Sequence, residues 1–218
     1  MDYAIADLHG YYYKLEAMLE KIKFSDSDRL FILGDLCDRG FENVEMLKFV
    51  MSKQNITCLR GNHDNYLLNF LTTGDVSEEW IANGGRTTHK EFCFVDDEFK
   101  ESVIKFIEAM PYCYKYNDDN LLCHAGFSNP YEYRFTDLDD LICTVGRNFL
   151  TTRPGKFGYN RTILPIRIIV GHTPVYTVWG GDKIYRHGNT TFIDCGVARP
   201  CGVMACLNLS TGEEYYIK

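Results

Sequence analysis

Five apolar runs in this 218-residue chain end in the same way. YAIA leads into Asp7-Leu8-His9-Gly10, and RLFIL into Gly34-Asp35-Leu36-Cys37-Asp38-Arg39-Gly40. ITCL leads into Arg60-Gly61-Asn62-His63-Asp64, NLLC into His124-Ala125-Gly126, and IRIIV into Gly171-His172-Thr173. Each run reads as a buried strand. Each stops at a carboxylate, amide or imidazole with a glycine or alanine close by. Open α/β sheets place their ligands at one edge of strand ends, and small residues let the backbone turn and approach a site closely. A chain with five such ends is constrained to bring them together.

If the ends converge, they pool Asp7, His9, Asp35, Asn62, His124 and His172. Oxygen and nitrogen donors without thiolate suit manganese or iron, with zinc also accommodated. Six donors exceed what one ion with an open position needs, but fit two ions sharing a carboxylate. Asp7 and His9, two residues apart, are expected to share a strand face. Asp194 in TFIDCG follows the pattern weakly and reads as structural. His89 and His187 read as solvated surface residues.

The remaining pattern describes an α/β fold. Strand and helix alternate at first: YAIA, a helix over 12–22, RLFIL, a helix face at Val44, Leu47, Val50 and Met51, then NITCL. This order favours a parallel sheet with covering helices. Residues 65 to about 110 read as helical, with Ser77 opening one segment and Pro111 closing another. Strand-like runs follow (YCYKY, NLLCH, IRIIVGH, TTFID, VMACLNL), and 128–162 reads as loop-rich. We therefore expect one domain over 1–218 with a helical insertion at about 65–110.

Composition narrows the class. A net charge of −7 argues against nucleic-acid backbone binding, though not against a phosphate site held by metals. No stretch approaches the roughly 20 apolar residues of a membrane span, and MDYAIADLHG lacks the pattern of a secretion signal. Nine cysteines without a Cys-x-x-Cys pair read as reduced core residues, and a cytoplasmic location is expected.

DLHG, GDLCDRG, RGNHD, HAGFSNP and VGHTPV come in the order and approximate spacing of the phosphoprotein phosphatase family of calcineurin-like metallophosphoesterases. They are most similar to its bacterial and phage branch, the lambda phosphatase type. WIANGG at 80–85 resembles an element of that branch and of the diadenosine tetraphosphatases. The resemblance implies two mixed β-sheets packed as a sandwich and flanked by helices, with two divalent metals at the sheet edge, most readily Mn2+. Asp7 and His9 would hold the first metal, Asp35 would bridge, and Asn62, His124 and His172 would complete the second. A bridging hydroxide would attack phosphorus in line. Arg39 and Arg60 would clamp phosphate, with Arg147 as a third arginine and Arg153 competing for that place. His63 would protonate the leaving group, oriented by Asp38. Asp64 reads as a turn or helix cap. Cys37 replaces the usual aliphatic residue and either packs or confers oxidant sensitivity.

The expected reaction is phosphomonoester hydrolysis on phosphoserine or phosphothreonine proteins, with phosphotyrosine also possible. The rival substrate is diadenosine tetraphosphate or another nucleotide. A catalytically inactive metal-binding interaction module is the alternative of another class; intact Asp38, Arg39, Arg60 and His63 argue against it.

Overall fold

A computed structural model describes residues 1–125 and 167–218. The described strands form two five-stranded mixed sheets. In the first, β1 (Asp2–Ile5) lies parallel to β2 (Arg29–Ile32), which lies parallel to β3 (Ile56–Cys58). In the second, β4 (Cys113–Asn117) pairs antiparallel with β5 (Asn120–Cys123), and β5 is parallel to β6 (Arg167–Val170). β7 (Tyr185–His187) flanks β8 (Thr190–Phe192), which lies parallel to β6. The chain then returns to the first sheet. β9 (Met204–Asn208) pairs antiparallel with β1, and β10 (Glu214–Ile217) closes that edge. Neither β7 nor β10 is evident in the apolar pattern, because neither carries a buried apolar run: β7 reads YRH and β10 EYYI.

The strands read as unbroken apolar runs because both of their faces are buried. Successive side chains point to opposite faces. Thus Tyr3, Ile5, Leu30 and Ile32 pack under the helices, whereas Ala4, Phe31 and Leu33 face the second sheet. From that sheet Leu122 and Ile169 face inward, while Leu121, Cys123, Ile168 and Val170 form a separate outer cluster. Phe31 bridges the layers, its ring 5.0 Å from that of Tyr114 and 5.8 Å from that of Tyr116.

Helices α1 (Tyr12–Lys21) and α2 (Asn43–Met51) cover the first sheet. A helical run follows: α3 (Asn62–Thr73), short α4 (Glu78–Trp80), a π-helical turn over Ile81–Gly85, α5 (Arg86–Phe92) and α6 (Asp97–Ala109). Asp96 caps α6 by accepting from Phe99 N–H at 2.8 Å. At its other end Met110 is extended, as the residue before a proline must be. A single-turn helix, α7 (Val175–Trp179), follows β6.

Of the eight described cysteines, six are buried and none is in a disulfide. Cys37 is fully enclosed, and burial among acidic neighbours pushes its thiol well up, so it packs as an inert core residue. Phe31→Ala should cost about 3–5 kcal/mol by urea unfolding, since it empties the seam between the sheets. Phe31→Leu should cost clearly less.

Candidate active site

Because β1, β2 and β3 are parallel, their C-terminal ends reach one edge; those of β5, β6 and β8 do the same. The five anticipated ends therefore converge, and a sixth joins them where β8 runs into Asp194. The turns are costly. Among the described residues, eight non-glycine residues have positive φ, and six are Asp7, His9, Asp35, Asp38, Arg39 and His172, with φ between 48° and 77°. Such strain costs roughly 1–3 kcal/mol per residue and persists only where the surroundings hold it. Here the loops tie to one another: Asp7 N–H donates to Gly34 O, His9 N–H to Asp35 O and Gly10 N–H to Leu36 O. The expectation that Asp7 and His9 share a strand face is corrected. β1 ends at Ile5, and a left-handed turn, not the pleat, aims the two residues.

Asp35 lies at the centre. Its Oδ2 is 3.9 Å from His9 Nε2, and its Oδ1 is 3.5 Å from His124 Nε2. His124 Nε2 is also 3.1 Å from both Asn62 Oδ1 and His172 Nδ1. Two groups of potential ligands result, His9-Asp35-His63 and Asp35-His124-His172, and they share Asp35. The imidazoles are oriented for ligation: Nδ1 of His9 donates to Cys37 O at 2.9 Å and Nδ1 of His124 to Leu33 O at 2.6 Å, leaving each Nε2 to face the site. Asp7 is placed behind this cluster, its Oδ2 accepting from His172 N–H at 2.8 Å. Gly171 makes that approach possible, since a Cβ there would lie 2.2 Å from Asp7 Oδ2.

The charges fit a divalent cation. Burial, then Asp194 and Asp35, drives the Asp7 carboxyl well up. Burial pushes Asp194 to about 7, with Asp35 adding to it. Burial, Arg39 and His63 hold His9 well down, hence neutral and ligand-competent. Burial also opposes ionisation of Asp35, but the four surrounding imidazoles outweigh it and keep its carboxyl low. A cluster of buried carboxylates and imidazoles is the donor set that divalent ions satisfy.

A second network holds Asp38 and His63. His63 Nδ1 donates to Asp38 Oδ2 at 2.6 Å, and Trp80 Nε1 donates to the same oxygen at 2.8 Å. Thr88 Oγ1 donates to Asp38 Oδ1 at 2.5 Å, and Asp38 N–H is held by Asn43 Oδ1 at 2.8 Å. Burial would lower the His63 imidazolium; the carboxylates of Asp35 and Asp38 outweigh it and raise it. The WIANGG segment thus has a physical role. Trp80 holds Asp38, and the carbonyls of Asn83 and Gly84 accept from Arg39 Nε (3.2 Å) and N (3.0 Å). Gly84 has φ 111°, and a Cβ there would meet Arg39 Cγ at 2.5 Å. The Arg39 guanidinium reaches into the site, donating to His9 Nε2 and to His63 Nε2 at 3.0 Å.

Arg60 is placed differently from its expected role as a phosphate clamp. Its guanidinium donates to the carbonyls of Ile107 and Glu108 and to Tyr112 Oη at 3.2 Å, over whose ring it also lies. It satisfies the C-terminal carbonyls of α6, which have no helical partners, and does not line the cavity. Asp64 is a clamp: its carboxylate accepts from the N–H groups of Asp35, Leu36 and Gly61 at 2.8–3.1 Å. Arg147 and Arg153 lie outside the described residues. His89 is half-buried against the rings of Phe70 and Trp80, whereas His187 is exposed. Trp80, Thr88 and Asp194 are among the site neighbours that the sequence pattern did not assign.

The site opens onto a cavity of about 650 Å3 lined by His9, Asp35, Arg39, Asn62, His63 and His172, with Asp194, Tyr176 and Arg199 on its wall. The model of the family described as calcineurin-like phosphoesterase matches residues 3–198. The chain belongs to that family. Calcineurin-like phosphoesterases use a dinuclear divalent metal centre, and this chain carries two candidate ligand groups joined by one carboxylate. Among its relatives is a symmetrical bis(5'-nucleosyl)-tetraphosphatase of Buchnera aphidicola subsp. Baizongia pistaciae, 28% identical over 67% of this chain and 61% of the relative. Another of the same name, from Legionella pneumophila (strain Lens), is 34% identical over 58% of this chain and 45% of the relative. The chain thus spans between about half and three-fifths of these calcineurin-like relatives. A solved cold-active protein-tyrosine phosphatase of a psychrophilic Shewanella sp. shares the fold. Its TM-score is 0.67 at 20% identity, over 100% of this chain and 80% of that one.

Trp80→Phe keeps a six-membered aromatic ring and removes the indole N–H donor to buried Asp38. It should cost about 1–3 kcal/mol in urea unfolding. Unchanged stability would remove the indole from the Asp38 network.

Proposed function

We propose that this calcineurin-like phosphoesterase hydrolyses a dinucleoside tetraphosphate between its central phosphates, yielding two nucleoside diphosphates. The observation that carries the reading is the similarity to relatives named symmetrical bis(5'-nucleosyl)-tetraphosphatases, which extends over 67% of the chain in one case. The cavity volume, about 650 Å3, also supports a ligand larger than one phosphate. The motifs alone favoured a phosphoserine or phosphothreonine substrate; the relatives favour the nucleotide that stood as its rival.

Asp7, His9 and Asp35 would hold one divalent ion, and Asp35, Asn62, His124 and His172 a second; manganese, iron or zinc suits this donor set. When bound, such a pair supplies Lewis acidity to phosphoryl oxygens and a nucleophilic water at neutral pH. The rest falls to the chain. With His9 engaged as a metal ligand, the Arg39 guanidinium would be free to turn toward phosphate, its base anchored by the Asn83 and Gly84 carbonyls. Guanidinium matches paired phosphate oxygens. The oxygen of water bonds to one central phosphorus as its bond to the bridging oxygen breaks. His63, steered by Asp38, hydrogen-bonds that oxygen through Nε2 and donates a proton where the leaving group needs one.

With manganese, kcat/KM on diadenosine tetraphosphate should exceed that on phosphoserine peptides by about 100-fold or more, a gap of about 2.7 kcal/mol. A chelator should abolish both activities. Peptide hydrolysis as fast as nucleotide hydrolysis would overturn the substrate assignment.

A nucleoside diphosphate leaves as a stable anion, whereas an alkoxide needs a proton. His63→Ala should therefore slow hydrolysis of an alkyl phosphate by about 10²–10⁴-fold. It should slow diadenosine tetraphosphate and p-nitrophenyl phosphate much less. Equal losses on all three would take the proton-donor role from His63.

A further inference from the structure

We propose that Arg199 is a substrate-positioning residue that binds a phosphate other than the one under attack, making the cavity selective for a linked phosphate chain. The proposal deepens the nucleotide reading and rests on it for the identity of the natural substrate.

Among the described residues, two arginines line the cavity. Arg39 is committed to the reacting end, beside His9 and His63. Arg199 reaches the cavity from the turn after β8, on the wall formed with α7. Its guanidinium carbon lies 3.8 Å from the centroid of the Tyr176 ring, a stacked arrangement that fixes the plane of the fork. The ring is itself held in place. Gly196, at φ 76°, packs so closely that a Cβ would lie 2.5 Å from Tyr176 Cε1. The segment between them is locked by Arg199 N–H donating to Gly196 O at 3.2 Å and by Gly202 N–H donating to Arg199 O at 2.8 Å.

This rigid guanidinium is chemically unspent. Its Nε is buried without a hydrogen-bond partner, and no carboxylate pairs with it among the described residues. An unsatisfied buried donor is costly, and an acceptor on a ligand would relieve that cost. The cavity wall also carries Asp35, Glu79 and Asp194, which repel anions. A second cation there offsets them where a ligand extends past the metal-binding residues. One ester phosphate would be met by Arg39 and the metal-binding residues; a chain of phosphates also has an anionic group to give Arg199. Arg–phosphate bonding is charge-assisted and geometrically matched to the fork.

The test is calorimetric titration of the manganese-loaded protein, at fixed free manganese, with inorganic tripolyphosphate and with orthophosphate. Arg199→Ala should weaken tripolyphosphate about tenfold or more, while orthophosphate changes less than about twofold. Arg199→Lys, which keeps the charge but loses the fork, should fall between and covers the case of a misfolded alanine variant. Equal weakening of both ligands, or no weakening, would overturn the proposal. Neither probe is a nucleotide, so the result stands apart from the turnover comparison. A selective loss without diadenosine tetraphosphate hydrolysis would keep the Arg199 site and remove the nucleotide substrate.

Discussion

Five buried aspartates share one edge of this protein, and their mutual repulsion is the constraint on which the site depends. Asp7, Asp35, Asp38, Asp64 and Asp194 are each at most 3% exposed. Burying an ionised carboxylate is costly unless it is paired or hydrogen-bonded. The fold meets the cost differently for each. Backbone N–H groups hold Asp64, while His63, Trp80 and Thr88 hold Asp38. Imidazoles surround Asp35. Asp7 and Asp194 are the least compensated, and their carboxyls are pushed up accordingly. That uneven compensation is the strongest physical argument for cations at this edge.

Backbone strain concentrates in the same place. Most of the described left-handed non-glycine residues belong to the candidate site, and the loops carrying them are bonded to one another. The strain is sustained by burial on both faces of β1 and β2, which leaves the loops little freedom to relax. Fold and site are therefore one energetic unit: the sandwich supplies the rigidity that the turns consume.

Much of this was legible in the sequence because strand ends advertise themselves. An apolar run that stops at a small residue and a ligand-type side chain is ambiguous once and distinctive when repeated five times. What stayed hidden depended on direction and on distance along the chain. Arg60 sits among motif residues, yet its side chain leaves the edge for the end of α6, which no local pattern reveals. Asp194 looks structural when taken alone; only the parallel pairing of β8 with β6 puts it beside the other ends. Trp80 and Thr88 meet Asp38 across about forty and fifty residues of sequence. WIANGG was visible as a motif, but its purpose was not. Asp7 and His9 were grouped for the wrong geometric reason, since the turn replaces the pleat.

The candidate ligands are split between the two sheets. His9, Asp35 and Asn62 follow strands of one, and His124 and His172 follow strands of the other. Ions seated between them would rivet the sandwich, tying together layers that otherwise meet through apolar side chains. Free energy of metal binding then becomes free energy of sheet docking, because ligands that bind only the native state stabilise it by mass action. A slip between the layers would scatter the donors before either sheet unravelled, so the catalytic edge doubles as a gauge of alignment between the two halves of the fold.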